Sequence, residues 1–91
     1  MKAVFFEVKE KERELLPSLL EGFDFHLYNE KLSEETAGLA NGADIVSVFV
    51  DSEINKAMID LLPDAKFICT RSTGFDHIDT AYAKEKGIAV S

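Results

Sequence analysis

The residues with the most chemical promise lie together in one run, Thr70-Arg71-Ser72-Thr73-Gly74-Phe75-Asp76-His77-Ile78-Asp79. Gly74 reads as the one glycine of the chain not needed to end a helix. A glycine there lets the backbone bend sharply and approach a ligand closely. Successive amides from Ser72 to Phe75 suit an anion-binding nest, a place for a small carboxylate held by N–H groups. The same residues equally suit a plain strand-to-helix turn that uses Gly, Asp and Thr for geometry alone. Composition leaves both readings open.

Neighbouring groups offer less. Arg71 either adds positive charge to such an anion site or pairs with a nearby carboxylate, and the second is preferred. His77 stands just before a helix, which fits a surface or structural role better than that of a base. His26 is expected to face solvent. Asp76 and Asp79 read as turn and cap acceptors for backbone N–H groups rather than as an acid–base pair. Glu7 and Asp51 fall near strand ends but are too scattered for a metal site, and no metal is expected. Cys69, the only cysteine, reads as buried and inert, because nothing basic nearby would lower its pKa.

These residues must be positioned by alternating strands and helices, since the apolar pattern switches repeatedly between strand-like runs and helical spacing. The first strand is expected over Ala3–Val8, nearly all apolar on both faces as a central parallel strand must be. A helix follows over Lys9–Glu21 with a stripe of Leu15, Leu16, Leu19 and Leu20, ended by Gly22; Pro17 inside it predicts a kink or two short pieces. Phe23–Tyr28 alternates like an edge strand. Ser33 caps a short helix through Ala40, closed by Asn41-Gly42. Ile45–Val50, the most β-branched run, belongs at the sheet centre. Helical spacing resumes from Ile54 to Leu62 and stops at Pro63. Lys66–Thr70 is a fourth strand, Thr80–Lys86 a helix capped by Asp79 with Ile78 and Ala83 as a staple, and Ile88–Val90 a fifth strand. Short connections and right-handed crossovers give an α/β, flavodoxin-like open parallel five-stranded sheet of order 2-1-3-4-5, with helices on both faces. Ligands of such sheets bind beyond the carboxyl ends of the strands, so the loops after Val8, Tyr28, Val50 and Thr70 are the candidates.

Composition narrows the class. A chain of 91 residues suits a single domain with 46% hydrophobic and 30% charged residues and no low-complexity tract. A net charge of −7 argues against nucleic acid, and no run is long enough to span a membrane. The charged stretch Lys9–Glu14 reads as a solvated helix face. A lone cysteine and no secretory leader favour a reducing, cytoplasmic setting.

The run TRSTGFDHIDTAYAKEKGIAVS, with LANGADIVSVFVDSEINKAMIDLLPDAKFI before it, resembles the D-isomer-specific 2-hydroxyacid dehydrogenases, most closely their D-lactate branch, over essentially the whole chain. The resemblance implies that the chain is the first part of a substrate-binding domain, residues 1–91, from which the dinucleotide-binding domain is missing. It implies further that the amides of Thr73 and Gly74, next to Ser72, receive the carboxylate of a small 2-hydroxy or 2-oxo acid. Phe49, at the end of the third strand, falls at a pocket position where some lactate-specific members carry tyrosine; it fits plain sheet core equally well. NAD would serve the full-length parent and no cofactor this fragment, because no G-x-G-x-x-G occurs in the chain and the family's substrate-gripping arginine and Glu–His pair lie beyond it. The fragment is expected to be inactive alone, with no catalytic residue of its own. It is also expected to self-associate, as a homodimer, or to be only marginally stable, through apolar surface that other elements of the parent would cover. Alternatives are a flavodoxin-like folding or assembly module without ligand, a phosphate- or flavin-binding module, and a receiver-type domain. The last lacks an acidic pair after strand one and a lysine after strand five.

Overall fold

The computed structural model describes residues 1–91 except Thr73 and Phe75. Five strands, β1 (Lys2–Phe5), β2 (Asp24–Leu27), β3 (Ile45–Val48), β4 (Phe67–Thr70) and β5 (Ala89–Val90), form one sheet of order β2-β1-β3-β4-β5. Every neighbouring pair is parallel. Helices α1 (Glu10–Leu19), α2 (Lys56–Asp60) and α3 (Thr80–Glu85) and a 3-10 turn (Ala37–Ala40) make the crossovers. The expected topology is therefore the observed one.

Side chains of alternate residues point to opposite faces of a strand. Val4, Phe6, Val46, Val48 and Ile68 enter one face, where Ala37, Met58, Ile59 and Ala83 cover them. Ala3 and Phe5 enter the other, against Leu16 of α1 and Leu20, its C-cap. Alternation breaks at Glu7, whose φ of 56° is left-handed. Beyond it, Val8 packs with Phe5 instead of Phe6.

Several elements differ from their expected extent. β1 leaves the regular ladder at Phe5, although Phe6, Glu7 and Val8 still donate to Ser47, Glu30 and Tyr28. Pro17 does not divide α1, which runs unbroken over Glu10–Leu19. The proline stands near the helix end on the exposed side, so the bond it cannot make belongs to a carbonyl within reach of water. The leucine stripe is split: Leu16 and Leu20 pack on the sheet, whereas Leu15 and Leu19 remain 61% and 72% exposed. Between Ser33 and Ala40 only a 3-10 turn forms, with Thr36 Oγ1 receiving the Ser33 N–H. Gly38 lies inside that turn, so Gly74 is not alone in standing apart from helix ends. Ile54 precedes α2 and bridges to Ile78, while Asn55 caps the helix by accepting from Met58 N–H. Gly22, Gly42 and Gly87 take φ of 92°, 76° and 77°, and each ends a helix or turn as expected.

Candidate functional site

At the carboxyl edge of the sheet the loops after β3 and β4 leave side by side. Val48 is in register with Thr70, and Arg71 N–H donates to Val48 C=O at 2.9 Å. Farther out the loops meet again: Ile54 pairs with Ile78, its N–H donating to His77 C=O at 2.7 Å, and Asp79 N–H donates back to Ile54 C=O at 2.8 Å. Two neighbouring arches result, residues 49–53 and 71–77, closed at both ends. This is the edge where ligands of open parallel sheets bind.

Three of the four expected substrate-site residues, Phe49, Ser72 and Gly74, fall on these arches. Phe49, just past β3, is half-buried, and its N–H donates to Glu7 at 2.9 Å. Gly74 is exposed, and a Cβ there would meet no atom within 4 Å. Ser72 serves the turn itself: its hydroxyl donates to Gly74 C=O at 2.9 Å and lies 2.7 Å from Thr70 Oγ1. Thr73, like Phe75, lies outside the described residues. His77 Nε2 stands 2.9 Å from Thr70 Oγ1, so its ring ties the turn to β4, a structural role. Asp79 accepts from Tyr82 N–H at 3.0 Å as the cap of α3. His26 is exposed beside Asp24 at 3.1 Å. Cys69 is half-buried rather than buried, and desolvation pushes its thiol pKa up, away from reactivity.

Arg71 is spent on structure. Its Nε meets Glu12 at 2.8 Å, Nη1 donates to Ser47 Oγ at 2.9 Å, and Nη2 donates to the carbonyls of Phe6 and Glu7 at 2.5 and 2.9 Å. Its guanidinium carbon lies 5.9 Å from the Phe5 ring centre. Partial burial pushes the Glu12 carboxyl up. The Lys9 N–H and the Arg71 charge outweigh that and hold it below the usual value of 4.5. Pairing with a carboxylate, the preferred expectation for Arg71, is what the geometry contains.

Sequence reasoning passed over Glu7. Only 5% exposed, its carboxylate accepts from Phe49 N–H and Asp51 N–H, both at 2.9 Å, and from Ser52 Oγ at 2.5 Å. Ser52, wholly buried, in turn accepts from Leu32 N–H at 2.9 Å. One signal was legible: Phe-Phe-Glu-Val puts a charge where a central strand should be apolar on both faces. A buried charge demands partners, and these are main-chain donors that no side-chain pattern reveals.

Comparison with known proteins places this architecture. The model of the D-isomer specific 2-hydroxyacid dehydrogenase catalytic domain matches residues 3–91. The chain is 32% identical over 94 aligned positions to D-lactate dehydrogenase of Escherichia coli, covering 99% of this chain and 29% of that protein. The apo-structure of D-lactate dehydrogenase from E. coli superposes with a TM-score of 0.92 at 31% identity, over 99% of this chain and 30% of that one. A D-lactate dehydrogenase from Aquifex aeolicus, complexed with NAD and lactic acid, gives a TM-score of 0.90 at 31% identity, over 98% and 27%. The chain thus spans under a third of the length of these relatives. The receiver-type and flavin- or phosphate-binding alternatives are not favoured by these matches. With the sheet order and the two arches in place, the match leaves one assignment: this chain belongs to the D-isomer-specific 2-hydroxyacid dehydrogenase family and covers part of its catalytic domain.

Proposed function

We propose that residues 1–91 are part of the substrate-binding domain of a D-2-hydroxyacid dehydrogenase, acting on a small acid of the D-lactate and pyruvate class. The acid's carboxylate would be held between the arches, by the amides of Thr73 and Gly74 with Ser72 shaping the turn and Phe49 lining the wall. The observation that carries this reading is the position of the Ser72–Gly74 turn. It stands at the carboxyl edge of β4, beside the end of β3, in a chain of this family. Backbone donors suit the task because a carboxylate accepts several N–H bonds at once.

NAD is supported for the full-length enzyme by the Aquifex relative that was solved with it. The residues here do not fit a dinucleotide. Helix α1, which follows the first strand, carries Glu10 and Glu12 in its first turn, where a pyrophosphate would meet two negative charges. The N-termini of α2 and α3 are already capped by Asn55 and Asp79. The dinucleotide-binding domain would belong to another part of the parent protein. Self-association through the outer surface of α1 is supported by the exposure of Leu15 and Leu19 there. A cytoplasmic setting is supported by the lone free Cys69. No described helix is long and apolar enough to cross a membrane.

Titration of the 15N-labelled chain with pyruvate tests the site. Saturable shifts at Ser72 and Gly74, absent with acetone, are expected; shifts spread evenly over the surface would overturn it. In an NADH–pyruvate assay the chain alone should show no turnover above background.

A further inference from the structure

We infer that Glu7 is a positioning residue for the carboxylate site: its buried side chain sets where the arch after β3, with Phe49 at its root, stands against the Ser72–Gly74 turn. The inference rests on the site reading given under Proposed function and adds to it a residue outside the motif.

Three observations carry it. First, the donors that Glu7 receives come from the arch itself, two amides and one hydroxyl spread over residues 49–52. Oε2 takes Phe49 N–H and Ser52 Oγ–H, and Oε1 takes Asp51 N–H, so both oxygens are engaged by one loop. Second, the backbone of Glu7 is held from both sides. Its N–H donates to Glu30 C=O at 2.8 Å, and its C=O accepts from Arg71 Nη2, the residue that opens the β4 arch. A single residue therefore connects the loops after β2, β3 and β4. Third, Glu7 is the only non-glycine with positive φ among the described residues. Such strain persists only where surrounding bonds over-determine it, and it clusters at ligand sites. The left-handed turn breaks the strand alternation at the residue whose carboxylate meets the arch.

The chemistry distinguishes positioning from catalysis. With N–H and O–H donors aimed at both oxygens, Glu7 is neither free to take a proton from substrate nor open to a cation. A glutamine of the same shape cannot replace it. An amide has one acceptor oxygen, so its NH2 group must confront Phe49 N–H or Asp51 N–H.

Two readouts on the 91-residue chain test this together: amide hydrogen exchange and pyruvate affinity by 15N NMR. In Glu7→Gln, exchange at Phe49 and Asp51 should accelerate selectively over Val46, and pyruvate should bind about tenfold more weakly. Ile88→Ala, a core change at the opposite edge of the sheet, should destabilise the fold while leaving pyruvate affinity within about twofold. Ser52→Ala removes one donor and should act in the same direction as Glu7→Gln but less strongly, which keeps the test decisive if Glu7→Gln does not fold. Unchanged exchange at Phe49 and Asp51 overturns the inference. So does faster exchange with unaltered pyruvate affinity, which would leave Glu7 a purely structural residue. Failure of the wild-type chain to bind pyruvate is a different result: it overturns the site reading, and the positioning role falls with it.

Discussion

On one face of the sheet Val4, Phe6, Val46, Val48 and Ile68 are fully covered by α2, α3 and the 3-10 turn. On the other, α1 alone packs over β1 and β2 and contains no fully buried residue. The first face is stabilised chiefly by removal of apolar surface from water, at about 25 cal/mol per Å2. The second depends to a larger degree on directed bonds at its carboxyl edge, where Arg71 joins Glu12, Ser47, Phe6 and Glu7. The edge with the candidate loops draws on both sides: Arg71 is bonded on the second, whereas Ile54 and Ile78, which close the two arches, belong to the apolar cluster of the first. Apolar packing fixes the outer ends of the loops, and directed bonds fix their roots.

The contrast is breakable in graded steps. Ile68→Ala should remove about 3 kcal/mol from the buried face, measured by urea unfolding, because the cavity lies under three covering elements. Leu16→Ala on the other face should cost about 1 kcal/mol, since that side chain is only half-buried. Equal losses would show the two faces to be alike. Arg71→Ala should cost about 2 kcal/mol, by leaving Ser47 and two carbonyls without their donor. Arg71→Lys should recover only part of it, because an ammonium cannot reproduce the planar fork.

Removing the α3 cap with Asp79→Ala should cost about 1 kcal/mol and loosen the Ile54–Ile78 junction. Its signature is faster amide exchange at Tyr82, with little change on the α1 side.

The pH dependence sharpens the comparison further. Glu12 is held below its ordinary 4.5 in the folded chain, so near pH 4.5 the unfolded chain binds more protons. Its contribution is therefore present above that pH and disappears as pH falls through the lowered folded value. Urea midpoints between pH 6 and 3 should decline less in Glu12→Gln than in the wild type; identical declines would remove the Glu12–Arg71 pair from the account. The smallest effect on stability belongs to Leu15→Lys with Leu19→Lys, within about 0.5 kcal/mol for exposed positions. That double variant should nonetheless shift sedimentation toward the monomer if this surface mediates self-association.

Much of the molecule was legible in the chain itself. Runs such as Ile45–Val48 declare a buried strand by their branching, with Ser47 the one polar residue among them. Gly22, Gly42 and Gly87 declare stops because positive φ strains other residues. Asp79 announces its cap, and the residues around Gly74 announce their family. These signals are local, since each depends on the residue's own backbone preferences or on neighbours a turn away. Element ends were less legible: Ile54 reads as helical by spacing, yet it leaves α2 to bridge Ile78.

What only the tertiary structure decided is the fate of groups whose partners are distant in the chain. The leucine stripe of α1 has four members, but a helix can press only its nearest side against a sheet, so Leu15 and Leu19 stay in water. Glu7 looked like a stray acid near a strand end. Its partners are amides 42 and 44 residues away, and Arg71 meets carbonyls at separations of 64 and 65. Main-chain N–H and C=O groups are the same at every position. Composition therefore cannot say which of them a buried charge will find, and only the folded path of the backbone can.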